Sequence, residues 1–305
     1  MSLVSTSQKI IAYSGIVLFL VGITGNTMNI IVFSSVPAYR RAPATFYFLI
    51  ESIFKCIFLL VNLPPRIIAF SFGYDFANES VVWCKTRQYL LMMSSTTAVS
   101  CICLSTIDQY FVTSPNPSLR RMSRIKWSHR IVTIVIITWF LHAIPFCLYF
   151  NISPITKTCI STNQTLSFYI PIYFLLVACA TPVLIISIFT GLAYRNIRRT
   201  AVPARQRADR QLIQMTLMQV VLVLLSVSQL GVWYMYTVIT SGTVKNQDQM
   251  LKEYLIYAII STETTIYYSG SFYVFVCTSS RFRQTIKEFF FARRRTNTVH
   301  PSQQA

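Results

Sequence analysis

Seven stretches of this chain, about 10–34, 45–70, 86–112, 131–150, 167–194, 211–240 and 254–278, are long, mainly apolar and nearly free of charge. No other feature restricts the fold as severely. Hydrocarbon offers the backbone no water, so each buried N–H and C=O must be satisfied inside its own helix or in a closed barrel. A helix of roughly 20 apolar residues meets that demand and spans the bilayer. The predicted fold class is therefore an all-α membrane protein, a seven-helix bundle built as a single domain over 1–305. Composition agrees. Only 12% of residues are charged, against about 25% in a soluble domain. The first run is read as a span and not as a signal peptide. One basic residue, Lys9, precedes it, and it exceeds the apolar core of about 7–15 residues typical of such peptides.

The formal net charge is +18. A nucleic-acid binder carries its basic residues on a soluble surface; here they sit between apolar runs, so nucleic acid is excluded as a partner. The basic residues gather in alternate segments: Arg40 and Arg41; Arg120 to Arg130; Arg195 to Arg210; and Arg281 to Arg295. Lys and Arg collect on the cytoplasmic side. The expected topology is a multi-pass plasma-membrane protein with its N-terminus outside and its C-terminus in the cytoplasm. These segments also suit anionic lipid, worth about 1 kcal/mol per basic residue near the surface. Three glycosylation sequons begin at Asn78, Asn151 and Asn163, all on the expected outer side. Asn151 lies close to the membrane end of span 4, so Asn78 and Asn163 are the candidate acceptors.

Two of the eight cysteines, Cys84 and Cys159, fall outside the bundle on that oxidising side. A bridge between them would tie the span 4–5 loop over the bundle mouth; two free thiols are the alternative. There is no CxxC pair and the three histidines are scattered, so no metal site is expected. No nucleophile–base set is evident, and neither an enzyme nor a cofactor is implied. Phe282, Ile286, Phe289 and Phe290 recur at helical spacing after span 7, which predicts a short amphipathic helix on the membrane. Residues 291–305 read as a disordered tail.

Gly25-Asn26 in span 1, Cys84 opening span 3 and Asp108-Gln109-Tyr110 closing it, Trp139 in span 4, Pro182 in span 5, and Ser269 to Tyr273 followed by Ser280-Arg281-Phe282-Arg283 form an ordered series. With these residues the chain resembles the rhodopsin-like G-protein-coupled receptors, and among them the divergent invertebrate neuropeptide-receptor-like members. The resemblance implies a receptor that passes binding of an extracellular ligand, a peptide or other molecule, to heterotrimeric G proteins. It implies switch or coupling roles for Asp108, Gln109, Tyr110, Lys55 and Tyr273. Gln109 stands where the family has arginine, so Asp108 lacks that neighbour's charge. Lys55 stands where the family has a sodium-binding aspartate, and its ammonium can occupy the ion's place. Glu51 precedes Lys55 by one helical turn, so the two can pair, either as part of the switch or as structure alone.

The resemblance places a ligand pocket in the outer halves of spans 3, 5, 6 and 7. Leu91, Trp233, Tyr236, Tyr257 and Glu263 are its candidate contacts. Leu91 replaces the aspartate of amine receptors, which disfavours a small amine. Glu263 is a carboxylate inside a span; it is expected to meet a ligand cation or to pair with Lys55 or Arg66. A membrane transporter of a small solute is the main rival, although no internal repeat of the kind transporters show is evident.

Overall fold

The computed structural model describes residues 2–155, 157–199, 207–240 and 242–297. In chain order the elements are α1 (Ser2–Ser35), α2 (Pro37–Arg40), α3 (Pro43–Phe72), α4 (Phe76–Glu79), α5 (Val81–Thr113), α6 (Pro117–Arg120), α7 (Ile125–His142) and α8 (Ile144–Tyr149). A hairpin follows, β1 (Phe150–Ile152) and β2 (Cys159–Ser161). Then come α9 (Gln164–Tyr173), a π-helical stretch (Phe174–Ala180), α10 (Thr181–Arg199), α11 (Arg207–Ile239), α12 (Gln247–Thr278) and α13 (Ser280–Asn297).

Among the described residues, six helical stretches are long and apolar enough to cross a membrane: Thr6–Ser35, Pro43–Phe72, Val81–Thr113, Ile125–Tyr149, Gln164–Arg198 and Ile213–Ile239. The chain is an all-α, multi-pass membrane protein. The seventh expected span corresponds to α12, which has 32 residues. At 1.5 Å per residue it is roughly 48 Å long, ample for a bilayer. It falls short on hydropathy because it carries Ser261, Thr265, Ser269 and Ser271. All four are buried, and α12 packs against both α1 and α11. Its polar residues thus line the bundle interior, while the apolar faces of the other helices point out: Ile134, Leu141, Leu184 and Leu225 are all exposed. Polar inside and apolar outside is the pattern that lipid as solvent selects.

The helices meet through small residues and buried polar bonds. A Cβ on Gly22 would lie 2.5 Å from Leu59 Cδ1 and 2.7 Å from Ser269 Oγ. Only glycine allows α1 to pack this closely on α3 and α12. One turn on, Asn26 Nδ2 donates to the Gly22 and Tyr268 carbonyls, each at 2.8 Å, which ties α1 to α12 inside the core. Pro182 has no N–H to give the preceding turn. The helix ahead of it widens, and the Thr181 N–H reaches back five residues to the Leu176 carbonyl. Gly231 leaves α11 a continuous helix; its missing side chain instead admits Cys179, whose Cβ would be 3.0 Å from an added Cβ.

At one end of the bundle the β1–β2 hairpin is fixed by a Cys84–Cys159 disulfide, so the bridged alternative holds. The Cys159 N–H also donates to Asn78 Oδ1 at 2.9 Å. At the other end, Phe282 of α13 is fully buried among Phe33, Tyr39, Phe272 and Phe275. Arg283 Nη1 donates to the Val276 and Cys277 carbonyls at the end of α12, where a cation also complements the helix dipole. α13 continues to Asn297, so 291–297, which the sequence suggests as tail, are helical. Residues 298–305, and the side chains of Phe289 and Phe290, lie outside the described residues.

Candidate functional site

Three features line up along the bundle. The first is a cavity of about 480 Å³ at the disulfide end, within the roughly 300–1,000 Å³ of small-molecule sites. Phe58, Tyr268, Phe174 and Tyr234 form much of its wall. Phe58 and Tyr268 stack at 3.8 Å, and Phe174 and Tyr234 at 4.7 Å. Charge enters from three residues: Arg66, Asp75 and Arg87. Arg66 follows Pro64 and Pro65 inside α3, where two missing N–H donors loosen the helix. Its Nη2 donates to Ser261 Oγ at 3.0 Å. Asp75 caps α4 by accepting from the Ala77 N–H at 2.9 Å.

The second feature is a polar cluster in the core between α3, α11 and α12. Lys55 Nζ lies 2.7 Å from Glu51 Oε1, donates to Ser271 Oγ at 2.5 Å, and sits 3.7 Å over the Tyr267 ring. Glu51 Oε1 also accepts from Gln219 Nε2 at 2.6 Å and Tyr267 Oη at 2.8 Å. Lys55 is 0% exposed and Glu51 2%, so no solvent shares this charge pair. The predicted Glu51–Lys55 pair forms. Its partners from α11 and α12 have little local signature; the one available signal is Gln219, a polar residue in the middle of an apolar span.

The third feature is at the opposite end. Asp108 is buried and its Oδ1 accepts from Ser123 Oγ at 2.6 Å. With glutamine next to it, the carboxylate takes a hydroxyl from the loop after α6 in place of a neighbouring charge. Gln109 is buried, and the Tyr110 ring packs against Phe189 of α10 at 5.5 Å. Tyr273 is not drawn into this group. Its Oη donates to the Val21 carbonyl at 3.2 Å, which turns it toward α1.

Of the candidate ligand contacts, Leu91 and Tyr257 line the cavity. Trp233 stands behind Tyr257, with ring centres 5.8 Å apart. Tyr236 Oη donates to Glu253 Oε1 at 2.6 Å and is not in the cavity wall. Glu263 is also outside it. The cavity face of α12 carries Tyr257, Ser261, Thr264, Thr265 and Tyr268. A residue two positions from Ser261 is turned roughly 200° away from it. Neither expected partner is in ion-pair contact with Glu263, since Lys55 is held by Glu51 and Arg66 by Ser261. What sequence reasoning missed is the arginine pair. In the sequence Arg66 stands out only as a possible partner of Glu263, and Arg87 only as a basic residue near the start of span 3. Asn163 Oδ1 caps α9, accepting from the Leu166 N–H at 3.0 Å.

No protein-family model matches the chain, and comparison with curated proteins gave no match either.

Proposed function

We propose that this protein is a seven-span receptor of the rhodopsin-like G-protein-coupled kind, which transmits binding of an extracellular ligand, a peptide or other molecule, to heterotrimeric G proteins. In this reading α12 is the seventh span, the disulfide end faces outward and the basic loops face the cytoplasm of the plasma membrane, with Asn78 and Asn163 open to glycans. The observation that carries it is continuity. Tyr268 lines the cavity, and its neighbour Tyr267 belongs to the Glu51–Lys55 cluster that joins α3, α11 and α12. A ligand that prefers one arrangement of Phe58 and Tyr268 biases the same helices whose far ends carry the basic loops. A population shift requires such differential contact and nothing more.

The test is nucleotide exchange. Cells expressing the chain with a panel of G proteins are exposed to fractionated peptide and metabolite libraries, and exchange on the G proteins is followed. A fraction that raises exchange in these cells and not in control cells supports the receptor. Solute flux across vesicles containing the purified chain, with no exchange for any fraction, favours the transporter.

A further inference from the structure

Arg66 and Arg87 both reach the cavity at the disulfide end, from α3 and α5. Both are half-buried. Among the described residues neither is in ion-pair contact with a carboxylate; the three such pairs are Lys55–Glu51, Lys245–Glu253 and Lys252–Asp248. Among the described residues Arg66 has only a neutral hydroxyl as hydrogen-bond partner. Arg87 Nε is buried without a hydrogen-bond partner. Asp75 is near enough to act on Arg87 electrostatically, and so is Arg66 with its like charge. The Asp75 oxygens, however, are turned to the Ala77 N–H and to Asn78 Nδ2. Two positive charges thus face a cavity whose one negative charge is already engaged. A guanidinium withdrawn from water without an anion is costly, and its planar fork suits a carboxylate. Beyond the arginines the wall turns aromatic, with Phe58 and Tyr268.

We propose that this cavity binds a carboxylate: the carboxylate lies between Arg66 and Arg87, and an apolar or aromatic group attached to it lies against Phe58 and Tyr268. The proposal rests on the receptor reading only in calling this carboxylate the ligand that signals; the binding chemistry stands apart from it. The shared chemistry has two sources, a free organic acid or the C-terminus of a peptide.

Binding to the purified full chain in detergent is measured by saturation-transfer NMR and by thermal shift. The probes are 3-phenylpropionate and its amide for a free acid, and the tripeptide Gly-Phe-Phe with free or amidated C-terminus for a peptide. The acid form of at least one pair binds about tenfold or more tightly than its amide, because the amide replaces a charge-assisted hydrogen bond with a neutral one. The pair that shows the preference identifies the source. Arg87→Gln and, as an independent variant, Arg66→Gln each abolish the preference. Arg87→Gln leaves the thermal midpoint of the empty protein unchanged or higher, because a guanidinium that only held the structure would lower it. Equal binding of acid and amide in both pairs, no binding of either, or a preference that survives both substitutions overturns the proposal. Acid preference without nucleotide exchange removes the receptor reading and leaves the carboxylate site; exchange driven only by ligands lacking an anion does the reverse.

Discussion

Replacing Lys55 by methionine removes one charge from a pair that solvent does not reach. Methionine approximates the length of the lysine stem, so little packing is lost. What changes is Glu51, which is 2% exposed and loses its cation at 2.7 Å. Removing one partner of a buried pair costs about 3–5 kcal/mol, because the remaining charge is stranded. Gln219 and Tyr267 still donate to Glu51, each such bond to a charged group contributing about 1.5–3 kcal/mol, so the low end of that range is expected. The double variant Glu51→Leu, Lys55→Met removes both charges and recovers most of the loss, since apolar replacement of a whole buried pair is often neutral or stabilising. Its recovery is incomplete, because Gln219 and Tyr267 then lack their acceptor. The assay is equilibrium unfolding of purified protein in mixed micelles, for wild type, both single variants and the double. A Lys55→Met protein within about 0.5 kcal/mol of wild type, the range of an ordinary surface change, shows that Glu51 does not depend on Lys55. So does a double variant as unstable as the sum of the two singles, because coupled partners must depart from additivity.

Gly22→Leu is expected to cost about 1–3 kcal/mol by overpacking against Leu59 and Ser269, read in the same unfolding assay; a neutral effect contradicts the close approach of α1 to α12. Cys84→Ser removes the tether on the hairpin and is expected to cost about 2–4 kcal/mol, measured as a fall in thermal midpoint that reducing agent reproduces in wild type and not in the variant. Lys245, and then Tyr236, hold the Glu253 carboxyl below its ordinary value. A depressed carboxyl stabilises above its unfolded pKa and loses that contribution as pH falls through the folded one. The hydrogen-exchange protection factor of the 242–250 segment, corrected for the intrinsic exchange rate at each pH, should therefore fall once pH drops below roughly 4.3, and Glu253→Gln should remove that dependence.

Much of the fold is legible in the sequence, because lipid leaves the chain few options. Six apolar runs become six spanning helices, with ends shifted by a few residues. The seventh expected run, α12, falls below the hydropathy of the other six, because it carries the buried polar residues Ser261, Thr265 and Ser271. Within the sites, local pairings are readable and distant ones are not. Glu51 and Lys55 are four residues apart on one helix, so their contact follows from helical geometry. Gln219 and Tyr267 reach the same carboxylate from helices whose rotation no local pattern fixes. Glu263 shows the same limit from the other side. Its depth in α12 is correct for the pocket, but its azimuth is not, and Ser261 and Thr265 occupy the wall in its place. The disulfide is the exception among long-range contacts, because chemistry and compartment together narrow the partners to Cys84 and Cys159.

In the proposed receptor α12 crosses the membrane together with the six apolar helices. Epitope tags at the two termini of the full chain, probed by antibody on intact and on permeabilised cells, test it directly. Seven crossings place the termini on opposite sides: the N-terminal tag stains on intact cells and the C-terminal tag only after permeabilisation. Both tags staining under the same condition means an even number of crossings and rules out a seven-span topology.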